Sequence, residues 1–289
     1  MVSYLGFNIL KYKINKIGDT KMKKILLLVL SFSLIISSAF SLISCNKNNG
    51  NDENTLVCGV TIFENMNEQD ANGNWIGFES EFAIEVGKIL GMDVKFQIIN
   101  WSQKYAELNS GSIDCVWNGF TANSSDDGIK RSDLVDFSYG YMLNQQCVVV
   151  KTEKLANFKS EADLAGKSVC VEGGSAGADY ASSVNASEIL NANAQIDAFA
   201  EVKSGAVDFI VVDILLAQNI CGKGNYSDLS IVPDIELDSE IYAVGFKKGS
   251  DLTAKVNDAI MQLYNNGKLM EIATKYGFEN VIKITEDIE

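Results

Sequence analysis

From Thr55 onward the chain alternates short apolar, β-branched runs with stretches of helical periodicity, and it does so twice. Residues 55–63 read as a first strand. Phe82, Val86, Ile89 and Leu90 then recur at helical spacing over about residues 80–90, and Gly91 supplies the residue that ends a helix. Val94, Phe96 and Ile98 alternate as a second strand. Ser102 can cap a short helix that stops at Gly111, and residues 113–117 form a third strand. Strand–helix–strand–helix–strand order implies a parallel sheet with right-handed crossovers. A second series follows: a strand at 169–171, a helix beginning near Ala178, a strand at 196–199, a helical turn at 201–204 closed by Gly205, and a strand at 209–212. Between the two series, residues 118–141 hold few apolar runs and read as a long loop, and residues 146–151 as another strand. Residues 240–246 read as a strand after the single proline, Pro233, and helices at 252–264 and 269–276 close the chain. At 289 residues the chain exceeds one average domain. The expectation is an α/β fold of two lobes facing each other across a cleft.

The first 44 residues follow a different rule. Lys21, Lys23 and Lys24 precede a long apolar run that ends in Leu42-Ile43-Ser44-Cys45. A basic segment, an apolar segment and a small residue make a secretory signal. The serines that interrupt the run favour a signal over a membrane span. Leu-Ile-Ser-Cys also resembles the bacterial lipobox, in which the cysteine is lipidated and becomes the first mature residue. Residues 1–21 do not fit the signal pattern, which makes Met22 a candidate start. Residues 45–54, polar and rich in asparagine, read as a flexible tether. Without residues 1–44, which carry six lysines and one aspartate, the formal charge of −14 becomes −19. Such a balance excludes nucleic acid and anionic membrane surfaces as electrostatic partners.

Candidate chemistry gathers at strand ends, where open α/β sheets place ligands. Asn118, Gly119 and Thr121 leave the carboxyl end of the third strand, and Arg131, the one arginine of the chain, follows ten residues after Thr121. A guanidinium grips a carboxylate with two parallel hydrogen bonds, which an ammonium cannot do. Gly173-Gly174-Ser175-Ala176-Gly177 has the spacing of a hydrolase nucleophile elbow. Its serine would need a histidine base, and the chain contains no histidine. Two readings remain for this stretch: an anion site of free N–H groups at a helix start, or a tight strand-to-helix turn. Asp213 ends an apolar strand and is either a helix N-cap or a partner for a cation. Phe63 and Trp101 sit just past strands, as core or as platforms for a flat or cationic group. Together these residues offer a carboxylate one arginine and an ammonium one aspartate, which suits the zwitterion of a free α-amino acid. Cys58, Cys115, Cys147 and Cys170 lie in apolar runs and are assigned to packing. A zinc site is not expected, and neither a cofactor nor catalytic residues are implied.

From Thr55 to Glu279 the chain also resembles the bacterial extracellular amino-acid-binding proteins, the solute-binding components of polar amino acid ABC transporters. The stretches that carry the resemblance are residues 73–79 (GNWIGFE), 108–114 (LNSGSID), 135–138 (VDFS), 163–167 (DLAGK), 245–250 (GFKKGS), 256–259 (VNDA) and 275–277 (KYG). The resemblance implies a type II periplasmic-binding architecture, two α/β lobes joined by two crossover strands and closing like a hinge. Residues 55–144 and 245–289 would form lobe 1, and residues 145–244 lobe 2. It implies stacking aromatics at Phe63 and Trp101, a Gly-x-Thr loop at Gly119 and Thr121, and a carboxylate-binding Arg131. It further implies a second-lobe turn at Ser175 and Ala176 and an ammonium-binding Asp213. The partners implied are a free amino acid and permease subunits, for a monomer held to the cell envelope by acyl chains such as palmitate on Cys45. Three departures stand out. Five extra residues lie between Thr121 and Arg131, Glu64-Asn65 replaces the usual prolines after Phe63, and Glu172 stands where glutamine or lysine is common. The extra acid at Glu172 favours a cationic ligand side chain. The alternatives are a dehydratase-like enzyme on the same fold, which would need an acid such as Glu172 at the cleft, and a ligand-sensing receptor module.

Overall fold

The structure is a computed structural model that describes residues 54–286 and 288. The expected signal, the lipidation at Cys45 and all but the last residue of the expected tether lie outside the described residues. Among the described residues no helix is long and apolar enough to cross a membrane.

In chain order the elements begin with β1 (Thr55–Val60), a small hairpin of β2 (Glu68–Gln69) and β3 (Trp75–Ile76), α1 (Phe78–Leu90), β4 (Asp93–Ile98), α2 (Lys104–Ser110) and β5 (Cys115–Val116). A second hairpin, β6 (Ser125–Asp126) and β7 (Ile129–Lys130), leads into α3 (Arg131–Leu134) and β8 (Asp136–Phe137). The chain continues through β9 (Gly140–Lys151), β10 (Ser168–Glu172), α4 (Ala176–Ser183), β11 (Glu188–Ala192), α5 (Gln195–Ser204) and β12 (Phe209–Asp213). It ends with α6 (Ile214–Ile220), β13 (Leu229–Ile231), β14 (Ser239–Tyr242), β15 (Gly245–Phe246), α7 (Leu252–Asn265), α8 (Lys268–Tyr276) and β16 (Ile282–Thr285).

Two sheets organise two lobes. The first has strand order β4-β1-β5-β15-β8, with β1 parallel to both β4 and β5. The second runs β11-β10-β12-β9-β13, with β10 parallel to β11 and β12 and β9 antiparallel to β12. This is the two-lobed α/β architecture expected, with strand carboxyl ends of both sheets turned to a shared crevice. Helix α1 forms because Phe78, Phe82, Ala83 and Val86 fall on one face, and it stops at Gly91, whose φ of 69° is left-handed. Helices α7 and α8 return from the second sheet to pack on α1. The connection between lobes is a ribbon in which β14 pairs antiparallel with the first half of β9, Ser239 opposite Gln145 and Tyr242 opposite Met142. One apolar cluster runs through this ribbon, joining Phe82 and Trp117 of the first lobe to Phe199 and Ile210 of the second by way of Tyr141, Met142 and Tyr242.

Several local expectations are corrected. Residues 196–199 are not a strand: they belong to α5, whose buried Ala198, Phe199 and Val202 keep helical spacing. A segment with apolar residues at 196, 198 and 199 and Asp197 between them is compatible with either period, and burial on one helical face decides it. Residues 118–141 are not one loop but hold β6, β7, α3, β8 and the start of β9. The β6–β7 turn is Asp127-Gly128, with φ of 51° and 80°, a two-residue hairpin turn that needs both residues left-handed. The strand read at 146–151 is the second half of a twelve-residue β9. The strand read at 240–246 breaks between β14 and β15 as it crosses from one sheet to the other. Asn100, not Ser102, caps the turn before α2: its side chain accepts from the Ser102 N–H at 3.1 Å. Cys58, Cys115, Cys147 and Cys170 are buried thiols in strands, in line with the packing role, and Cys221 is half-buried.

A charged cavity between the lobes

Opposite walls of one small cavity, about 10 Å³, come from the two lobes. Trp101, Asn118, Gly119, Thr121 and Arg131 line it from the first lobe, and Glu172, Ser175, Ala176 and Asp213 from the second. The structure thus brings together every residue singled out at the strand ends except Phe63. Strand β1 stops at Val60, so Phe63 turns back, exchanges backbone hydrogen bonds with Asn67 at 2.9 Å, and is buried in the apolar core with Met66. Gln146 of β9 and Gln195 of α5 complete the lining. A wider crevice of about 430 Å³ shares Thr121, Gln146 and Ala176 with the cavity and extends towards Glu240.

Arg131 opens α3 and is 1% exposed. Its Nε donates to Asp126 Oδ1 at 2.8 Å and its Nη1 to the Thr121 carbonyl at 3.1 Å, and the guanidinium sits 5.4 Å from the Phe120 ring centre. Nη2 lies 2.7 Å from Asp126 Oδ1 but makes no well-directed hydrogen bond, so its N–H groups remain available. Asp126 belongs to the β6–β7 hairpin between Thr121 and Arg131. It also pairs with Lys104 Nζ at 3.3 Å and accepts from the Tyr105 hydroxyl. Burial acts to raise the Asp126 pKa, but Arg131 and Lys104 outweigh it and hold the carboxyl below its ordinary value. Lys104 is itself buried and donates from Nζ to the Gly174 carbonyl, 2.8 Å away in the second lobe. Burial, and next the Arg131 charge, bring its pKa down to about 8.

The loop after β5 is shaped by acids and amides that the strand-end pattern does not point to. Gly119, at φ 56°, directs its N–H to Glu79, 2.9 Å from Oε1, while Tyr141 donates its hydroxyl to the same carboxylate. Burial raises Glu79 to about 7 against those hydrogen bonds. A side chain at Gly119 would also press on the Tyr242 ring, which would lie 3.1 Å from its Cβ. Asn118 spends its side chain on Thr61: Oδ1 accepts from the Thr61 N–H at 3.0 Å and hydroxyl at 2.7 Å, and Nδ2 donates to the Thr61 carbonyl at 2.9 Å. It is a strut that fixes one strand end to another. Asn118→Ala should therefore lower stability by about 2 kcal/mol in urea unfolding, because three buried polar groups of Thr61 lose partners.

On the second wall, Asp213 occupies the N-cap position of α6 but makes no capping bond. Its carboxylate instead accepts from Gln195 Nε2 at 2.7 Å, from Asn144 Nδ2 at 3.0 Å and from Gln146. Of the two readings left open for Asp213, the geometry favours a group aimed at the cavity. Burial raises its pKa, and these amides oppose the rise. Glu240 of β14 shares the same amides, accepting from Asn144 at 2.6 Å and Gln146 at 3.1 Å, and burial together with Asp213 pushes it up to about 7. Glu172 ends β10, is 2% exposed and leaves Oε1 without a partner. Burial first, and Asp213 second, push it up to about 8. Ser175 caps α4 by accepting from the Ala178 N–H at 3.1 Å, so the glycine-rich turn is a strand-to-helix turn whose helix start borders the cavity.

Gln146 was legible as a polar residue interrupting the apolar run of β9. Gln195 was hidden by reading its helix as a strand, and Lys104 and Asp126 meet only through tertiary packing.

Two α/β lobes that jointly enclose a small, charged cavity define a solute-binding protein of the two-lobed kind. Over residues 56–280 the chain matches the family model of the bacterial extracellular solute-binding proteins, family 3, and it belongs to that family. It is similar to the arginine-binding extracellular protein ArtP of Bacillus subtilis, 26% identical over 261 residues that cover 88% of this chain and 98% of that protein. The L-cystine-binding protein TcyJ of Escherichia coli K12 is 28% identical over 235 residues, covering 80% and 86%. Among solved structures, an ancestral amino acid-binding protein, a precursor of cyclohexadienyl dehydratase, superposes with a TM-score of 0.68 at 26% identity, covering 77% of this chain and 95% of that one.

Proposed function

We propose that the protein captures a free polar amino acid between its lobes and delivers it to the permease of an ABC transporter, held to the outer face of a cell membrane by a lipid on Cys45. Residues 55–144 and 245–289 would make one closing body and residues 145–244 the other, acting as a monomer. The observation that carries the reading is the pairing of Arg131 and Asp213 on opposite walls of one cavity. The free N–H groups of Arg131 Nη2 receive the α-carboxylate, helped by the start of α4 at Ser175 and Ala176, and Asp213 receives the α-ammonium. The similar proteins named for arginine and for L-cystine fit this division. Both ligands carry the zwitterion. Each charge-assisted bond contributes about 1.5–3 kcal/mol in a desolvated site. A thermal-shift screen of the common amino acids tests the reading, because a ligand at 100 times its Kd adds about 2.7 kcal/mol. No stabilisation by any of them would refute it.

Closure carries its own expectation. Lys104 ties the first lobe to the Gly174 carbonyl of the second without touching the proposed ligand groups. Lys104→Met should weaken amino acid ligands by about tenfold, through faster dissociation. Stopped-flow release of bound ligand measures it.

The partnerless Oε1 of Glu172 favours one second reading, a dehydratase-like enzyme in which this acid protonates a leaving group. Incubation with prephenate and arogenate separates the two: turnover that Glu172→Gln abolishes would establish the enzyme.

A further inference from the structure

We infer that the subsite beside Glu172 receives a second positive charge, so that the ligand is an amino acid with a cationic side chain. The inference rests on the amino-acid reading and narrows it.

The polar atoms left over in the cavity are unevenly divided. On the first-lobe wall the leftover group is a donor, Arg131 Nη2. On the second-lobe wall the leftovers are oxygens, the Gln146 Oε1 acceptor and Glu172 Oε1, which accepts once the carboxyl is ionised, both buried. A buried polar atom without a partner costs about 1–3 kcal/mol, so a ligand that supplies its complement recovers that cost. The complement here is one anionic acceptor facing Arg131 and several N–H donors facing the second lobe.

Charge points the same way. Around Arg131 stand Lys104, Asp126 and, from the second lobe, Asp179, so the first-lobe wall holds its cations already matched by carboxylates, and the ligand carboxylate is received by the directed N–H groups of Arg131. Around Glu172 stand Asp213 and Asp197, with Lys104 the one opposing cation. Lys104 is already engaged by Asp126 and the Gly174 carbonyl. One α-ammonium answers Asp213 and leaves Glu172 unanswered. A guanidinium or a second ammonium answers it.

A proton follows from this arrangement. Glu172 is held up to about 8 by burial and Asp213, so it is mostly protonated at pH 7 before the ligand arrives. A cation seated against it favours the carboxylate, and binding at pH 7 therefore releases a proton. Affinity for the cationic ligand should fall as pH drops below about 8 and level off above it. A neutral side chain such as an amide would instead accept from the protonated acid and release none.

The test is titration calorimetry of the mature protein with L-arginine, L-lysine, L-citrulline and L-glutamine, run in two buffers of different ionisation enthalpy. Citrulline matches arginine in shape and lacks its charge. Arginine or lysine binding at least about tenfold more tightly than citrulline and glutamine, with proton release, is the expected result. Glu172→Gln should erase both the preference and the proton release while the variant melts cooperatively. Citrulline or glutamine binding as tightly as arginine, or a neutral amino acid outside this set binding best, overturns the cationic subsite and leaves the amino-acid reading standing. Absence of binding by all common amino acids overturns both.

Discussion

Replacing Arg131 with alanine should weaken amino acid binding by at least about a hundredfold, measured by titration calorimetry. The side chain is 1% exposed and does two tasks. Its Nη2 is the free donor of the cavity, and its Nε and Nη1 hold the hairpin and the Thr121 loop in place. Arg131→Lys should fail almost as badly, because a point charge cannot reach Asp126, the Thr121 carbonyl and a ligand carboxylate together. Some of the loss will be structural, since Asp126 then keeps only Lys104 as a cationic partner. Asp126→Asn separates the two contributions. It keeps the guanidinium charge and an acceptor for Nε, so it should retain most of the affinity that Arg131→Ala loses. Wild-type affinity in Arg131→Ala would overturn the assignment of the carboxylate pocket.

The second large effect is expected at Asp213. Asp213→Asn removes the charge that faces the α-ammonium and presents an amide N–H₂ to a cage of amide donors from Asn144, Gln146 and Gln195. Those donors can be satisfied only by oxygens. Breaking a buried hydrogen-bonded charge pair costs about 2–5 kcal/mol, so affinity should drop by roughly thirtyfold or more. A des-amino analogue of the ligand should bind wild type weakly and lose little further in the variant. If wild type binds the analogue as tightly as the amino acid, Asp213 does not serve the ammonium group.

Arg131 and Asp213 were legible before any coordinates because each is exceptional locally, one the sole arginine and the other a charge closing an apolar strand. Trp101, Glu172 and the Ser175–Ala176 turn were legible for a related reason, since parallel strands deliver their last residues to a common edge. Phe63 was misplaced because β1 ends three residues earlier than its apolar run, and the chain folds back into the core. Helix α5 was misread because apolar residues at 196, 198 and 199, with Asp197 between them, fit either period. The Asp127-Gly128 turn carries a hairpin signature that could have been recognised. Its consequence, Asp126 held against Arg131, Lys104 and Tyr105, could not. Nor could the amide cage around Asp213, whose members come from β9 and α5, far apart in the chain.

The ribbon between the lobes has a mechanical consequence. Asn144 and Glu240 face each other across its two strands, and Asn144 also bonds Asp213. Because the strands are laced together, they flex as one leaf spring instead of two separate strings. A bend between the lobes would shift the post to which the Asp213 carboxylate is moored, which would couple filling of the pocket to bending of the spring.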